Sequence, residues 1–213
     1  MTLPIVVLVS GYGSNLRAVH QAIAQGNCDA QILAVVSDRK RAAALEFAAS
    51  QGLPTACVPL RAYPDRAAWD AALTDVVARF EPAVVVAAGF MRILGSTFVS
   101  RFEHRTINVH PALLPLFPGL EAPAQAITAR VPISGCTVHL VDQGVDTGPI
   151  LAQAVVRVAP SDTADALHTR IQVAEHRLLP RVIAAVAAGH LQLGPVPLWR
   201  GPLPDCAEVF SSF

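Results

Sequence analysis

Short apolar stretches alternate with helical stretches through the first half of this chain, and this alternation constrains the fold more than any other feature. Residues 5–9, 31–36 and 83–88 are apolar runs of strand length, and helical patterns that end near Gly26, Ser50 and Phe80 separate them. Continuous apolar strands are typical of a sheet that is covered on both faces. The pattern therefore predicts the α/β class, with an open, mainly parallel, twisted sheet and helices on both faces.

The second half of the chain is less regular. Residues 105–109 read as a further strand, and residues 135–141 and 150–158 read as strands that pair with each other, so we expect antiparallel additions here. A long helix over residues 163–188 follows, with Asp162 as its N-cap, and then a proline-rich tail. Because no linker separates two parts, we expect a single domain over residues 1–213. Its first half, 1–103, would bind a phosphate or nucleotide, and residues 104–213 would form an elaborated second half.

Charge, hydropathy and cysteine spacing exclude several functional classes. Sixteen basic and sixteen acidic side chains cancel, so the chain lacks the basic surface that nucleic-acid binding requires. It contains no apolar run of about 18 residues, and its first strand begins without a basic leader, so we expect a cytoplasmic protein that does not enter a membrane. The cysteines Cys28, Cys57, Cys136 and Cys206 lie too far apart for a metal knuckle, and we predict no metal site.

A glycine loop joins the first strand to the first helix. It reads Gly11-Tyr12-Gly13-Ser14-Asn15. Glycines let the backbone approach a phosphate closely, and the free N–H groups at a helix start point at the anion. The dinucleotide fingerprint would need a glycine where Leu16 stands, although Asp38 lies about where its acidic residue would. A phosphate monoester is thus the favoured ligand; a dinucleotide, or a tight turn without any ligand, are the alternatives.

An amide, an imidazole and a carboxylate form the second constellation. Asn108 and His110 are two residues apart on a predicted strand, and so face the same side at its carboxyl end. Asp146 lies in a loop that contains Gly144 and Gly148. Each residue alone is more often structural, since aspartate before Thr-Gly-Pro is usual turn chemistry. Together, without a hydroxyl or thiol nucleophile beside them, they suit acyl-type transfer in which the substrate supplies the nucleophile.

These motifs resemble the folate-dependent formyltransferases, nearly from end to end, and most closely the branch that formylates glycinamide ribonucleotide. The motifs that carry the resemblance are Ser10-Gly11-Tyr12-Gly13-Ser14-Asn15-Leu16, Ala88-Gly89-Phe90-Met91-Arg92-Ile93-Leu94, Asn108-Val109-His110-Pro111, Leu113-Leu114-Pro115, Phe117-Pro118-Gly119-Leu120, Asp146-Thr147-Gly148-Pro149-Ile150 and Glu175-His176. The resemblance implies the Rossmann-like formyltransferase fold.

The resemblance also implies a role for each matched residue. The loop residues Gly11, Tyr12, Gly13, Ser14 and Asn15 would bind the substrate, with Gly13, Ser14 and Asn15 on its 5′-phosphate. Arg66 would reach the same phosphate, and Glu175 would receive the substrate amine. Asn108, His110 and Asp146 would be catalytic. The folate pocket would be lined by Phe90, Met91, Arg92, Ile93, Leu94 and Val99, together with Val141, Asp142, Gln143, Gly144 and Val145.

The implied reaction transfers the formyl group of 10-formyltetrahydrofolate to the amine of glycinamide ribonucleotide, in purine biosynthesis. It passes through a tetrahedral intermediate and requires neither a metal nor a covalent adduct with the enzyme. Asn108 and His110 would donate hydrogen bonds to the oxyanion, and Asp146 would help to move the proton to the leaving folate nitrogen. The partners would then be two small molecules, without nucleic acid or membrane, and we expect a monomer or homodimer.

Six positions depart from the family's usual pattern, and other functions stay open. Ala112, Leu116 and Glu121 replace the serine, lysine and histidine that the family usually has, and Ala122, Pro123 and Ala124 replace polar residues. One alternative is an N-formyltransferase for another amine, such as a nucleotide-linked amino sugar; another is a catalytically silent small-molecule binding protein. Methionyl-tRNA formyltransferase would need a basic C-terminal domain, and formyltetrahydrofolate hydrolase would need an additional N-terminal domain.

Overall fold

A seven-stranded sheet forms the centre of the computed structural model, which describes residues 2–201. Along the chain its elements are β1 (Leu3–Val9), α1 (Ser14–Ala24), β2 (Ala30–Ser37), α2 (Ala43–Ser50), β3 (Thr55–Cys57), α3 (Arg66–Ala78), β4 (Val84–Ala87), α4 (Ser96–Arg101), β5 (Thr106–His110), α5 (Ala122–Thr128), β6 (Ile133–Leu140), β7 (Ile150–Arg157), α6 (Ala164–Ala187), β8 (Leu191–Gln192) and β9 (Leu198–Trp199).

The strand order is β3-β2-β1-β4-β5-β6-β7. The first five strands in this order run parallel, whereas β5–β6 and β6–β7 pair antiparallel. The predicted α/β class, the mainly parallel sheet and the antiparallel additions are confirmed. Sequence order reverses at β1 and β4, and in open α/β sheets ligands bind where this reversal occurs, beyond the carboxyl ends of the strands.

Helices cover both faces because the apolar residues of the strands alternate between two cores. Ile5, Val7 and Val9 of β1 belong to the core that includes residues of α1, α2 and α6. Val6 and Leu8 belong to the opposite core, with α3 and α4. This two-sided burial is the reason that the strands read as continuous apolar runs rather than as an alternating pattern.

The start of α6 differs from the sequence-based expectation. The N-cap of α6 is Thr163, whose hydroxyl accepts from the Ala166 N–H at 3.2 Å, and not Asp162. Asp162 instead accepts from the Ala159 N–H and pairs with Arg170. Its carboxylate therefore closes the turn that precedes the helix.

The short helices α4 and α5 and the small β8–β9 sheet were not predicted. Helices α4 and α5 have six and seven residues and show too few turns for a periodic pattern, and α5 begins at the end of a proline-rich stretch. The third is the two-stranded β8–β9 sheet, where the indole N–H of Trp199 donates to the Leu151 carbonyl at 3.0 Å. Trp199 thus packs against β7; the remainder of the tail, residues 202–213, lies outside the described residues. Within residues 2–201 no helix is long and apolar enough to cross a membrane.

Candidate active site

The proposed catalytic residues meet at the carboxyl end of β5. His110 Nδ1 lies 3.3 Å from Asp146 Oδ2, with His110 only 4% exposed. His110 Nε2 lies 2.8 Å from the Phe117 carbonyl oxygen. Both partners are acceptors, so only the ring that carries a proton on each nitrogen satisfies both contacts. The predicted imidazole–carboxylate contact is therefore present in the structure.

His139 completes this network, and sequence reasoning missed it. It lies directly opposite Asn108 in the β5–β6 register and is 2% exposed. Its Nε2 lies 3.1 Å from the Asn108 amide nitrogen and 3.5 Å from Asp146 Oδ1. That nitrogen accepts from Asn108 when neutral and donates to Asp146 when protonated. The pairing of β5 with β6 is the signal that would have found it.

The electrostatic environment keeps Asp146 ionised. Burial alone would raise the pKa of Asp146, but hydrogen bonds from His139 and from the Gly119 N–H, together with the charge of His110, lower it below its ordinary value. The Gly119 N–H donates to Asp146 Oδ2 at 2.8 Å. His139 supplies the largest of these lowering contributions, and those of Gly119 and His110 add to it.

Two loops bring these groups together at a cost in backbone strain. Asp146 has φ 55° and Phe117 also has φ 55°, in the left-handed region that non-glycine residues rarely adopt. Such strain costs about 1–3 kcal/mol per residue and clusters at functional sites. The loop that contains Phe117 is anchored by Thr137, whose hydroxyl donates to the Ala112 carbonyl at 2.7 Å and accepts from the Leu114 N–H.

The glycine loop leads directly into α1. Gly13 is the N-cap, with φ 77°, and no side chain bonds to the first N–H groups of the helix. A Cβ at Gly13 would lie 2.6 Å from the Cβ of Ala44, so a larger residue does not fit. Gly11 and Tyr12 are exposed and Ser14 is half-buried. Free backbone donors at a helix start are the arrangement that binds anions.

The Asn15 side chain points to α6. Its amide nitrogen donates to Glu175 Oε2 at 2.9 Å, and its own carbonyl oxygen is buried without a partner. Glu175 is 5% exposed, and burial raises its pKa to about 7, although the bond from Asn15 opposes this shift. The two residues thus join the glycine loop to a carboxyl group that titrates near neutral pH. Their sequence neighbours Ser14 and His176 line a groove of about 1160 Å³ between α1 and α6, although Asn15 and Glu175 themselves do not.

The structure places Arg66 against the segment that follows β4. Arg66 Nη2 donates to the Ile93 carbonyl at 2.7 Å, and its guanidinium carbon lies 5.8 Å from the Trp69 ring centre. Arg66 is otherwise exposed, so its other N–H groups face solvent. Its contact with a phosphate stays a prediction.

The predicted folate-pocket residues divide into exposed and buried sets. Met91 and Ile93 are each 60% exposed, whereas Phe90 and Leu94 pack against the α3–α4 core. Val99 is buried in α4. The segment 141–145 follows β6. Within it the Asp142 carboxylate accepts from the Gly144 N–H, and it also accepts from the Thr147 hydroxyl. The residues of this segment are half-buried or exposed: Val141, Asp142, Gln143, Gly144 and Val145.

Residues 2–201 contain no group of three or more His, Cys, Asp or Glu side chains that could hold a metal ion.

Comparison with known proteins identifies the family. The family described as formyl transferase matches residues 3–183. A phosphoribosylglycinamide formyltransferase of Mycobacterium tuberculosis (strain ATCC 25618 / H37Rv) is 52% identical, over 86% of this chain and 84% of that protein. The trifunctional purine biosynthetic protein adenosine-3 of Bos taurus is 40% identical, over 89% of this chain and 19% of that protein.

Solved structures agree with this assignment. The crystal structure of glycinamide ribonucleotide transformylase 1 from Symbiobacterium toebii has a TM-score of 0.90 and 40% identity, over 94% of this chain and 95% of that one. The phosphoribosylglycinamide formyltransferase from Coxiella burnetii, solved with CHES, has a TM-score of 0.89 and 38% identity, over 94% of this chain and 95% of that one. The resemblance drawn from the motifs is confirmed: the chain belongs to the formyl transferase family.

Proposed function

We propose that this protein transfers the formyl group of 10-formyltetrahydrofolate to the amine of glycinamide ribonucleotide, a step of purine biosynthesis. The contact between His110 and Asp146, at 3.3 Å, is the observation that carries the proposal in a chain whose relatives are named for this reaction. The relatives do not favour an amino-sugar formyltransferase or a silent binding protein.

The phosphate and the amine of the substrate would bind at the two ends of the Asn15–Glu175 contact. The uncapped start of α1, at Gly13, Ser14 and Asn15, supplies donors for the 5′-phosphate, with Arg66 as a further cation. Glu175 supplies an acceptor for the amine. Because the pKa of Glu175 is raised to about 7, a cationic amine beside it shifts the carboxyl group toward its ionised form.

The amine must be neutral to attack, so an ammonium group bound beside Glu175 first gives its additional proton to that carboxylate or to solvent. The nitrogen then attacks the formyl carbon. A carbon–nitrogen bond forms, and the electron pair of the carbonyl moves to its oxygen. The Asn108 amide and a His110 N–H would donate hydrogen bonds to this oxyanion, and each such donor typically contributes about 10²–10³ in rate. His110 Nε2 must exchange the Phe117 carbonyl for the new oxygen, since Nδ1 already faces Asp146.

Collapse of the intermediate reforms the carbonyl and breaks the bond to the folate nitrogen. The proton that the amine loses is delivered to that nitrogen, and the His110–Asp146 pair provides the path. His139 orients the Asn108 amide through its contact at 3.1 Å. Formyl folate, as the co-substrate of the family, would lie against Met91, Ile93 and the 141–145 segment.

Four properties stay predictions: a single domain, a metal-free reaction, a cytoplasmic location, and a monomeric or homodimeric state.

Turnover of the purified protein tests the proposal. With 10-formyltetrahydrofolate and glycinamide ribonucleotide, we expect equal amounts of tetrahydrofolate and formylated product. The His110→Ala variant is the matched blank for folate breakdown that the enzyme does not catalyse. Absence of turnover, together with turnover on a nucleotide-linked amino sugar, would transfer the assignment to that class of substrate.

A further inference from the structure

The chain between β4 and α4 has neither helix nor strand, yet buried carboxylates hold it at both ends. We call residues 89–95 the folate segment, because the proposed function places the folate against it. Asp38 holds its beginning and Asp70 holds its end, and each of these residues is 4% exposed. Neither belongs to the phosphate loop or to the catalytic network described above.

Asp38 acts at the beginning of the segment through two partners. Ser10 Oγ donates to Asp38 Oδ1 at 2.6 Å and accepts from the Met91 N–H at 2.8 Å. Arg92 Nε donates to Asp38 Oδ2 at 2.8 Å. Ser10 and Asp38 directly follow β1 and β2, which are neighbours in the sheet, so the sheet itself sets their positions.

Asp70 fixes the end of the segment. It accepts from the Gly95 N–H at 2.7 Å and from the Phe98 N–H at 3.1 Å, so it caps α4 in place of a local side chain. A Cβ on Gly95 would lie 2.5 Å from this carboxylate, which explains the glycine. The two ends are thus held from separate parts of the fold, by Asp38 directly after β2 and by Asp70 within α3.

Between these anchors the side chains point alternately inward and outward. Phe90 stacks on Trp69, with ring centres 6.4 Å apart, whereas Met91 and Ile93 are each 60% exposed. A buried polar network whose groups are all paired is rigid, because breaking any bond leaves an unpaired group in a medium of low dielectric constant. The anchored backbone therefore presents the two apolar side chains in one fixed arrangement.

We propose that Asp38, acting through Ser10 and Arg92, is a positioning residue for formyl folate. It holds the folate segment in the conformation that presents Met91 and Ile93 to the ligand, before the ligand binds. Preorganisation of this kind lowers the cost of ordering a binding loop, so its loss weakens binding rather than chemistry. The inference rests on the proposed function, because it takes that segment as the folate wall.

Steady-state kinetics of Asp38→Asn test the role. The amide places an N–H against the Ser10 hydroxyl or the Arg92 guanidinium, which removes one charge-assisted bond. Since such bonds contribute about 1.5–3 kcal/mol, we expect the KM for formyl folate to rise by about tenfold or more. The KM for glycinamide ribonucleotide and kcat should change by less than about threefold, because the Asp38 side chain bonds to Ser10 and Arg92 and to no residue of 11–15 or to His110.

Asp162→Asn is the matched control. It removes the same charge from a carboxylate whose side chain is 6% exposed, and which also pairs with an arginine, in the turn before α6. We expect this variant to leave both KM values unchanged. Ser10→Ala removes the contact with the Met91 N–H but keeps the charge of Asp38. It should also raise the KM for formyl folate, and it replaces Asp38→Asn as the test if that variant does not fold.

Hydrogen exchange separates this inference from the proposed function. The Met91 amide should exchange faster in Asp38→Asn than in Asp162→Asn, while the Phe98 amide, held by Asp70, stays protected. If the Asp38→Asn enzyme is active and its KM for formyl folate equals that of wild type, the positioning role is overturned and the proposed function stays intact. A wild-type protein that neither transfers formyl nor binds tetrahydrofolate would instead remove the proposed function, and with it the folate role of the segment.

Discussion

Replacing Glu175 by glutamine should make the protein more stable at alkaline pH. Glu175 lies on the buried face of α6, 5% exposed, with one hydrogen bond from Asn15 at 2.9 Å. A carboxylate in this position has lost most of its hydration and gained one neutral donor. Burial therefore dominates, and raises its pKa from 4.5 to about 7.

The shift sets both the size and the direction of the effect. A pKa raised from 4.5 to about 7 corresponds to about 3 kcal/mol of unfavourable free energy for the ionised form in the folded protein. The folded state binds the proton more tightly than the unfolded state does. The contribution of the Glu175 carboxyl group to the unfolding free energy is therefore complete below pH 4.5, and it is lost as the pH rises through about 7.

Urea unfolding of the ligand-free protein, from about pH 5 to pH 8.5, measures this contribution. The unfolding free energy of wild type, relative to Glu175→Gln, should fall by about 3 kcal/mol across the range. Glu46→Gln, which changes an exposed carboxyl group on α2, is the control for the loss of one acid. A wild-type minus Glu175→Gln difference that is flat with pH would refute the assignment of a buried acid with a raised pKa.

The same variant should show the functional cost of removing the carboxyl group. Glutamine cannot become an anion, so the substrate amine would lose its charged acceptor. We expect the KM for glycinamide ribonucleotide to rise while the KM for formyl folate does not. Gain of stability with loss of substrate binding is the expected trade-off at a site that keeps an unfavourable group for function.

Three further predictions follow from the site. His110→Ala and Asp146→Asn should each lower kcat by at least about 10²–10³ while far-UV circular dichroism stays that of wild type; a near-normal rate in either variant would remove the catalytic assignment. Arg66→Ala should raise the KM for the phosphorylated substrate far more than that for the folate, because its solvent-facing N–H groups are the proposed phosphate contact, whereas its bond to the Ile93 carbonyl is an exposed contact in a segment that Asp38 and Asp70 hold at both ends; equal increases would contradict the phosphate contact. Gly13→Ala should destabilise the protein by at least about 1–3 kcal/mol, since φ is 77° and the new Cβ would meet Ala44; urea unfolding that matches wild type would show that the loop tolerates a side chain.

Local patterns in the sequence were sufficient for the sheet and for part of the site. The continuous apolar runs of β1, β2 and β4 predicted strands covered on both faces, and the two cores confirm this. Asn108 and His110 were placed on one side of β5 because side chains alternate along a strand, which is a property of the backbone alone. Helix α4 could not be predicted because it has too few turns for a periodic pattern, and because its cap is Asp70, a side chain from another element.

The sequence by itself determined which segments form strands and helices, and which residue types the site contains, because periodicity and motif spacing act over a few neighbouring residues. Only the tertiary structure decided which of these residues meet. His139 reaches Asn108 through the β5–β6 register, and Asn15 reaches Glu175 across α1 and α6. Strand order and register bring distant segments into contact, and the contacts that result decide which acids are ionised and which loops are held.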